Sequence, residues 1–173
     1  DIRSCQPQER AGKICFILQE PFLFSGTVRD NILYGNEEFL NFTSEQLARV
    51  WVDSGLEGLL TRFDNGLETQ VIMGGDSISL GQKQLLAFMR AVLRKPELLI
   101  LDEATANIDT ITEQLLEEIL KKLPSSTTLV VIAHRLNTIE NADEIFFVNS
   151  GQVTRAGSLE NAMHMLLRHK RDS

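Results

Sequence analysis

Apolar positions along the chain switch between two periods, and the switches mark its elements. Short continuous apolar runs stand at residues 14–18 (ICFIL), 98–101 (LLIL) and 128–133 (TLVVIA). Their length and aliphatic content predict strands buried in a parallel sheet. Elsewhere the spacing becomes helical. From Ser79 to about Arg94, the residues Leu80, Leu85, Leu86, Phe88, Met89, Val92 and Leu93 recur on a helical repeat, and Lys95-Pro96 ends it. Leu115, Leu116, Ile119 and Leu120 share one face of a helix predicted over residues 112–123 and stopped by Pro124. Ser44 is placed to cap a helix running through Val52, with Glu45 in its first turn. Gly55, Gly58 and Gly66 punctuate the stretch after that helix. Residues 137–141 predict a short helix. Residues 144–148 and 152–155, joined through Asn149-Ser150-Gly151, predict a hairpin at the sheet edge. Ser158 caps a last helix, whose basic end (Arg168, His169, Lys170, Arg171) complements the helix dipole. The pattern is that of an α/β fold. A parallel sheet is flanked by helices, residues 21–94 form a small, mostly helical subdomain, and residues 1–20 and 95–173 make the rest of the core.

Composition narrows the function classes. The chain has 173 residues, a single-domain length. Its net charge of −7 argues against the basic face that nonspecific nucleic-acid binding needs, so no nucleic-acid partner is expected. No apolar run approaches the roughly 20 residues that span a bilayer. The polar start, DIRSCQPQER, does not read as a signal peptide. Cys5 and Cys15, ten apart with no nearby histidine cluster, make no zinc pattern and read as buried or free thiols in a reducing compartment. Asn41-Phe42-Thr43 matches a glycosylation sequon, which reads as a chance match.

Candidate chemistry sits at strand ends and helix starts. Gln19 follows the first strand, Asp102 and Glu103 the second, and His134 the third. Open α/β sheets bind ligands at the carboxyl ends of their strands. Two adjacent carboxylates there suit a magnesium–nucleotide site, one holding the metal and the other orienting water. Ser79-Leu80-Gly81-Gln82 opens a helix, whose free N–H groups and positive dipole end suit a phosphate. Taken singly, each has a plainer reading: Gln19 a surface residue, Asp102-Glu103 a helix N-terminal acid pair, His134 a structural hydrogen-bonding histidine, Ser79 an N-cap.

Together and in this order, the set resembles the nucleotide-binding domain of an ATP-binding cassette (ABC) transporter, over nearly the whole chain. The segments that carry the resemblance are ILQEPFLFSGTVRDNI (Q-loop and its continuation), ISLGQKQ (signature), LLILDEATANID (Walker B and D-loop) and VIAHRLNTI (H-loop). PFLFSGTVRDNI is most similar to the exporter branch. The resemblance implies a P-loop NTPase-like core with an inserted helical subdomain, and ATP and Mg2+ as cofactors. Gln19 would touch magnesium and the attacking water. Asp102 would hold Mg2+ through water, Glu103 would be the general base or water-orienting carboxylate, and His134 would contact the γ-phosphate. Ser79, Gly81, Gln82 and Asp109 would act on the nucleotide of a second cassette in a head-to-tail dimer. The helical subdomain would receive a transmembrane domain at the cytoplasmic face of a membrane, with Phe22, Phe24 and Trp51 as candidates for that apolar surface, or else as core.

The chain departs from the family pattern in four places. A Walker A loop needs Gly, four residues, Gly-Lys and Ser/Thr. The only Gly-Lys, Gly12-Lys13, is followed by Ile14 and has Pro7 where the first glycine belongs. The first strands and Walker A are therefore expected to be absent, so that the chain corresponds to the C-terminal two-thirds or so of a cassette. Leu80 occupies a usually small position of the signature, Gln70 and Met73 replace acids of a family loop, and Ala106 replaces a frequent D-loop serine. A non-catalytic regulatory cassette and an ABC-type ATPase without a membrane partner are the competing readings.

Overall fold

The three apolar runs pair into one parallel sheet. The computed structural model describes residues 6–72, 77–102, 108–132 and 142–172, with Gln8 and residues 166–172 described by backbone alone. In it, β1 (Ile14–Ile17), β4 (Leu98–Asp102) and β5 (Thr128–Ile132) lie in the order β1-β4-β5. Ile17 pairs with Leu101, and Asp102 with Ile132. Successive side chains point to opposite faces of a sheet. Cys15, Ile17, Leu99 and Leu101 are buried on one face, while Phe16, Val130 and Ile132 are exposed on the other. β5 departs from the expectation of a buried strand. Among the described residues β4 is its one paired neighbour, and Leu129, which pairs with buried Leu99, keeps 39% of its surface in solvent.

Helix α5 (Leu80–Leu93) packs against β1 and against α2 (Val28–Leu33). Its residues from Gln84 to Met89 and from Ala91 to Leu93 are buried. An all-round burial of this kind is that of a core helix, not of a surface helix with one apolar stripe. The helix ends where Lys95, at φ 46°, turns left-handed and Pro96 follows. Just past the end of α2, Gly35 (φ +71°) lies against the Arg94 guanidinium, and a Cβ there would collide with it. The Arg94 Nη2 donates to the Tyr34 carbonyl at 3.0 Å.

Capping chemistry decides the other helix limits. α3 (Ser44–Asp53) is capped by Thr43 and not by Ser44, because Gln46 can return the bond. Thr43 N–H donates to Gln46 Oε1 (2.8 Å) and Gln46 N–H to Thr43 Oγ1 (3.3 Å). Thr27 and Asp30 make the same box at α2. α6 (Thr110–Lys121) starts two residues before the predicted Thr112, because Asp109 takes the cap. The region between β1 and α5 also holds α4 (Glu57–Leu60) and a two-residue antiparallel pair, β2 (Gly26–Thr27) with β3 (Gln70–Val71). α1 (Pro7–Lys13) has no hydrophobic periodicity to mark it. Its signals are Pro7 at the first turn, Glu9 after it and Lys13 at the end. Cys15 is a free, buried thiol, its pKa raised by burial.

The chain divides into two compact units, Asp1–Ile132 and Ala133–Ser173. In the second, β6 (Phe146–Asn149) and β7 (Gln152–Arg155) form the predicted hairpin, with its first strand starting two residues later than expected. Ser150 and Gly151, both at positive φ, make its turn. Among the described residues the hairpin strands pair with each other. α7 (Leu159–Asp172) starts at the expected place, with Asn161 N–H donating to Ser158 Oγ (3.2 Å). The helix expected over residues 137–141 lies outside the described residues, as do the side chains at the basic end of α7, residues 168–171.

Leu99 is fully buried and Leu129, its neighbour across the ladder, is not. Leu99→Ala should destabilise the chain by about 2–5 kcal/mol, the range for a buried leucine. Leu129→Ala should cost less than half as much. Urea denaturation of the two variants checks the difference.

Candidate functional site

Parallel pairing brings the ends of three strands to one side of the sheet. β1 ends one register step before β4, and Asp102 is level with Ile132. Gln19 comes two residues after β1, and its side chain is exposed. Asp102 is the last residue of β4 and is half-buried. The sequence continues from Asp102 into Glu103, and from Ile132 through Ala133 into His134. Glu103 and His134 lie outside the described residues. Of the predicted strand-end residues, Gln19 and Asp102 are therefore the ones whose positions are described. Both offer oxygen donors, the kind a hard divalent cation takes.

Ser79 caps α5, as its sequence context predicts. Gln82 N–H donates to Ser79 Oγ (3.2 Å), and Ser79 N–H donates to Gln82 Oε1 (2.8 Å). The other end of the Gln82 amide donates to the Arg62 carbonyl at 2.7 Å. Both polar atoms of the Gln82 side chain are thus bonded within the chain. The first-turn N–H groups of Leu80 and Gly81 have no carbonyl of their own helix to meet. The side chain of Leu80 is 38% exposed at this end.

Arg62 links this helix start to the start of α6. Its guanidinium lies 3.6 Å from Asp109 Oδ1, while its carbonyl receives Gln82. Asp109 also accepts from the Thr112 hydroxyl (2.7 Å) and the Thr112 N–H (3.1 Å). These Thr112 bonds, then the charge of Arg62, hold its carboxyl below the ordinary aspartate range. Sequence reasoning selects Ser79, Gly81, Gln82 and Asp109 but not Arg62. Nothing in residue spacing connects Arg62 to a helix cap so far along the chain.

The loop after β1 is pinned by its backbone. Gln84, fully buried, donates to the Gln19 carbonyl at 3.1 Å. Arg90 donates to the Phe22 carbonyl (3.1 Å) and the Asn31 carbonyl (2.7 Å). Its guanidinium lies within 5.7 Å of the Phe24 ring centre and 5.6 Å of the Tyr34 ring centre, a cation–π arrangement. Burial, and then the charge of Arg94, pushes the Arg90 pKa down to about 10. Asn31 both accepts from the Phe24 N–H and donates to the Phe24 carbonyl. Among the aromatic residues suggested for an apolar docking surface, Phe22 is exposed, Phe24 is half-buried against Tyr34, and Trp51 is core at 3% exposure. Trp51 falls on the packed face of α3, so its large apolar surface is already covered.

Comparison with known proteins fits this arrangement. The sequence pattern of the family described as "ABC transporter" matches residues 1–106. The chain is 41% identical over 158 residues to the uncharacterized ABC transporter ATP-binding protein YfiC of Bacillus subtilis, covering 91% of this chain and 26% of that protein. It is 38% identical to a fatty acid ABC transporter ATP-binding/permease protein of Mycobacterium bovis, over 91% of this chain and 25% of that protein. Its fold is similar to that of a bacterial Atm1-family ABC exporter solved with ATP bound, with a TM-score of 0.72 and 29% identity, over 91% of this chain and 27% of that one. The chain spans about a quarter of the length of these relatives.

The Asp109 contacts predict a titration. An aspartate in an unfolded chain has a pKa of about 3.9. The folded value is lower, so the stabilisation is present above the unfolded pKa and is lost as pH falls through the folded one. An NMR titration of the folded chain should place Asp109 below an unstructured aspartate. Thr112→Val should move it up further than Arg62→Gln does.

Proposed function

The chain belongs to the ABC transporter family, and on that premise we propose that it forms part of the ATP-binding and ATP-hydrolysing motor of an exporter. The reading is supported above all by the common level at which β1, β4 and β5 end, with Gln19 and Asp102 on that side of the sheet. Asp102 and Gln19 would hold Mg2+, and their oxygen donors fit a cation that keeps several waters. When bound, the metal neutralises charge on the phosphates. Glu103 accepts the proton of the attacking water. His134 donates a hydrogen bond to the γ-phosphate. Retention of both Glu103 and His134 in the sequence favours a catalytic over a regulatory cassette.

Ser79 and Gly81, at the start of α5, serve the nucleotide of a second cassette across a head-to-tail dimer, where the positive end of the helix faces phosphate. Gln82 supports them indirectly, since its amide is bonded to Ser79 and Arg62. Asp109 joins the start of α6 to the same interface. Residues 21–94 act as the signature subdomain and face the transmembrane part of the transporter, with exposed Phe22 as the apolar contact. Among the described residues no helix is long and apolar enough to cross a membrane, so in this reading other residues supply the membrane-spanning part and this chain sits at its cytoplasmic face. Relatives described as export or ATP-binding/permease proteins favour a membrane partner over a free-standing ATPase.

The 173-residue chain contains no Walker A sequence, whose N–H groups and lysine supply much of the grip on phosphate. Calorimetric titration of this chain with Mg-ATP should give binding no tighter than micromolar, and submicromolar binding would overturn that expectation. In an intact transporter that carries these residues together with a Walker A loop, Glu103→Gln should lower kcat for ATP hydrolysis by about 10²-fold or more, as loss of a general base does. KM should change little. An unchanged kcat would rule Glu103 out as the general base.

A further inference from the structure

We propose that Gln84 is a positioning residue for Gln19: its buried amide grips the backbone at the root of the loop after β1 and makes that loop move with α5. The inference rests on the reading of Gln19 as part of the ATP site and adds the residue that holds it.

Gln84 is fully buried on the core side of α5. Its Nε2 donates to the Gln19 carbonyl across 65 residues of sequence. Its Oε1 is buried without a hydrogen-bond partner. An amide with one end unsatisfied is a poor choice for filling a core. Burying an unpaired acceptor carries a desolvation penalty that an apolar side chain in its place does not carry. Its neighbours Leu85, Leu86, Phe88 and Met89 show what this core otherwise takes. Packing therefore does not account for Gln84, and its grip on Gln19 does. Local rules of this kind are broken mainly where function requires it.

The rest of the loop supports the same assignment. Arg90, six residues further along α5, holds the Phe22 carbonyl, and Asn31 holds Phe24 through both its N–H and its carbonyl. The loop backbone is tied to α5 at Gln19 and Phe22, while the side chains of Gln19, Glu20 and Phe22 are exposed. A push on those exposed side chains is thereby delivered to the helix that begins at Ser79. Gln84 lies five residues from that cap, about 7.5 Å along the axis.

The test uses Gln84→Met, which keeps the volume and removes the amide, and Gln84→Leu, which removes it with a side chain this core already takes. Hydrogen exchange on the 173-residue chain, without nucleotide, reads the grip directly. The Phe24 N–H, the loop amide bonded to Asn31 Oδ1, should exchange about fivefold faster or more in both variants, as for loss of one hydrogen bond. The core of α5 should be unchanged, and the thermal midpoint of Gln84→Met should be equal or higher. In the full-length transporter, kcat for ATP hydrolysis should fall at least about fivefold on the same estimate, with KM for Mg-ATP changed less than twofold. Unchanged loop exchange in a folded variant overturns the proposal, as does wild-type kcat alongside faster exchange. If the wild-type transporter hydrolyses no ATP, the motor reading fails by itself. In that case the exchange experiment still decides whether Gln84 holds the loop.

Discussion

Burial of α5 from nearly every side is the constraint on which the first unit depends. A helix with no polar stripe must be covered all round, and here β1 lies on one side and α2 on another. Covering it brings the loop after β1, the helical region and the sheet into one hydrophobic cluster, from Cys15 and Ile17 through Ile32 and Leu47 to Leu99 and Leu101. The few polar groups of α5 that enter this environment do not find partners on their own helix. Gln84 and Arg90 reach the β1–α2 loop, and Arg94 reaches Tyr34.

Two kinds of backbone end meet the chemistry. The strands deliver Gln19 and Asp102 at their carboxyl ends, and α5 offers its first turn at Ser79. These are held by different means. In-register parallel pairing fixes the strand ends relative to one another, whereas the start of α5 is held by a capping box whose glutamine is shared with Arg62. Arg62 then approaches Asp109, so the starts of α5 and α6 are joined through one residue. Side-chain links are easier to break and remake than a ladder of parallel bonds. In the proposed motor, the part that must move is therefore tied by side chains and the part that must stay is tied by strands.

The sequence by itself determined the positions of the three parallel strands, the α5 limits, the Ser79 cap and the family. Each of these is local: an apolar run bounded by Gln19 or Lys95-Pro96, a Ser three residues before a Gln, or a motif read in order. The misjudged limits also had local causes, a reciprocal cap at Thr43 in place of Ser44 and Asp109 in place of Thr112. Tertiary structure alone decided which apolar residues were core. Trp51 and Phe22 look alike in sequence, but only Trp51 lies on the packed side of its element, and β5, aliphatic like β4, is largely exposed, whereas β1, against which α5 packs, buries Cys15 and Ile17. It alone also paired Gln84 with Gln19 and Arg62 with Asp109. Such bonds form between residues tens of positions apart, and whether two polar groups meet depends on how the core between them packs, which no local pattern encodes.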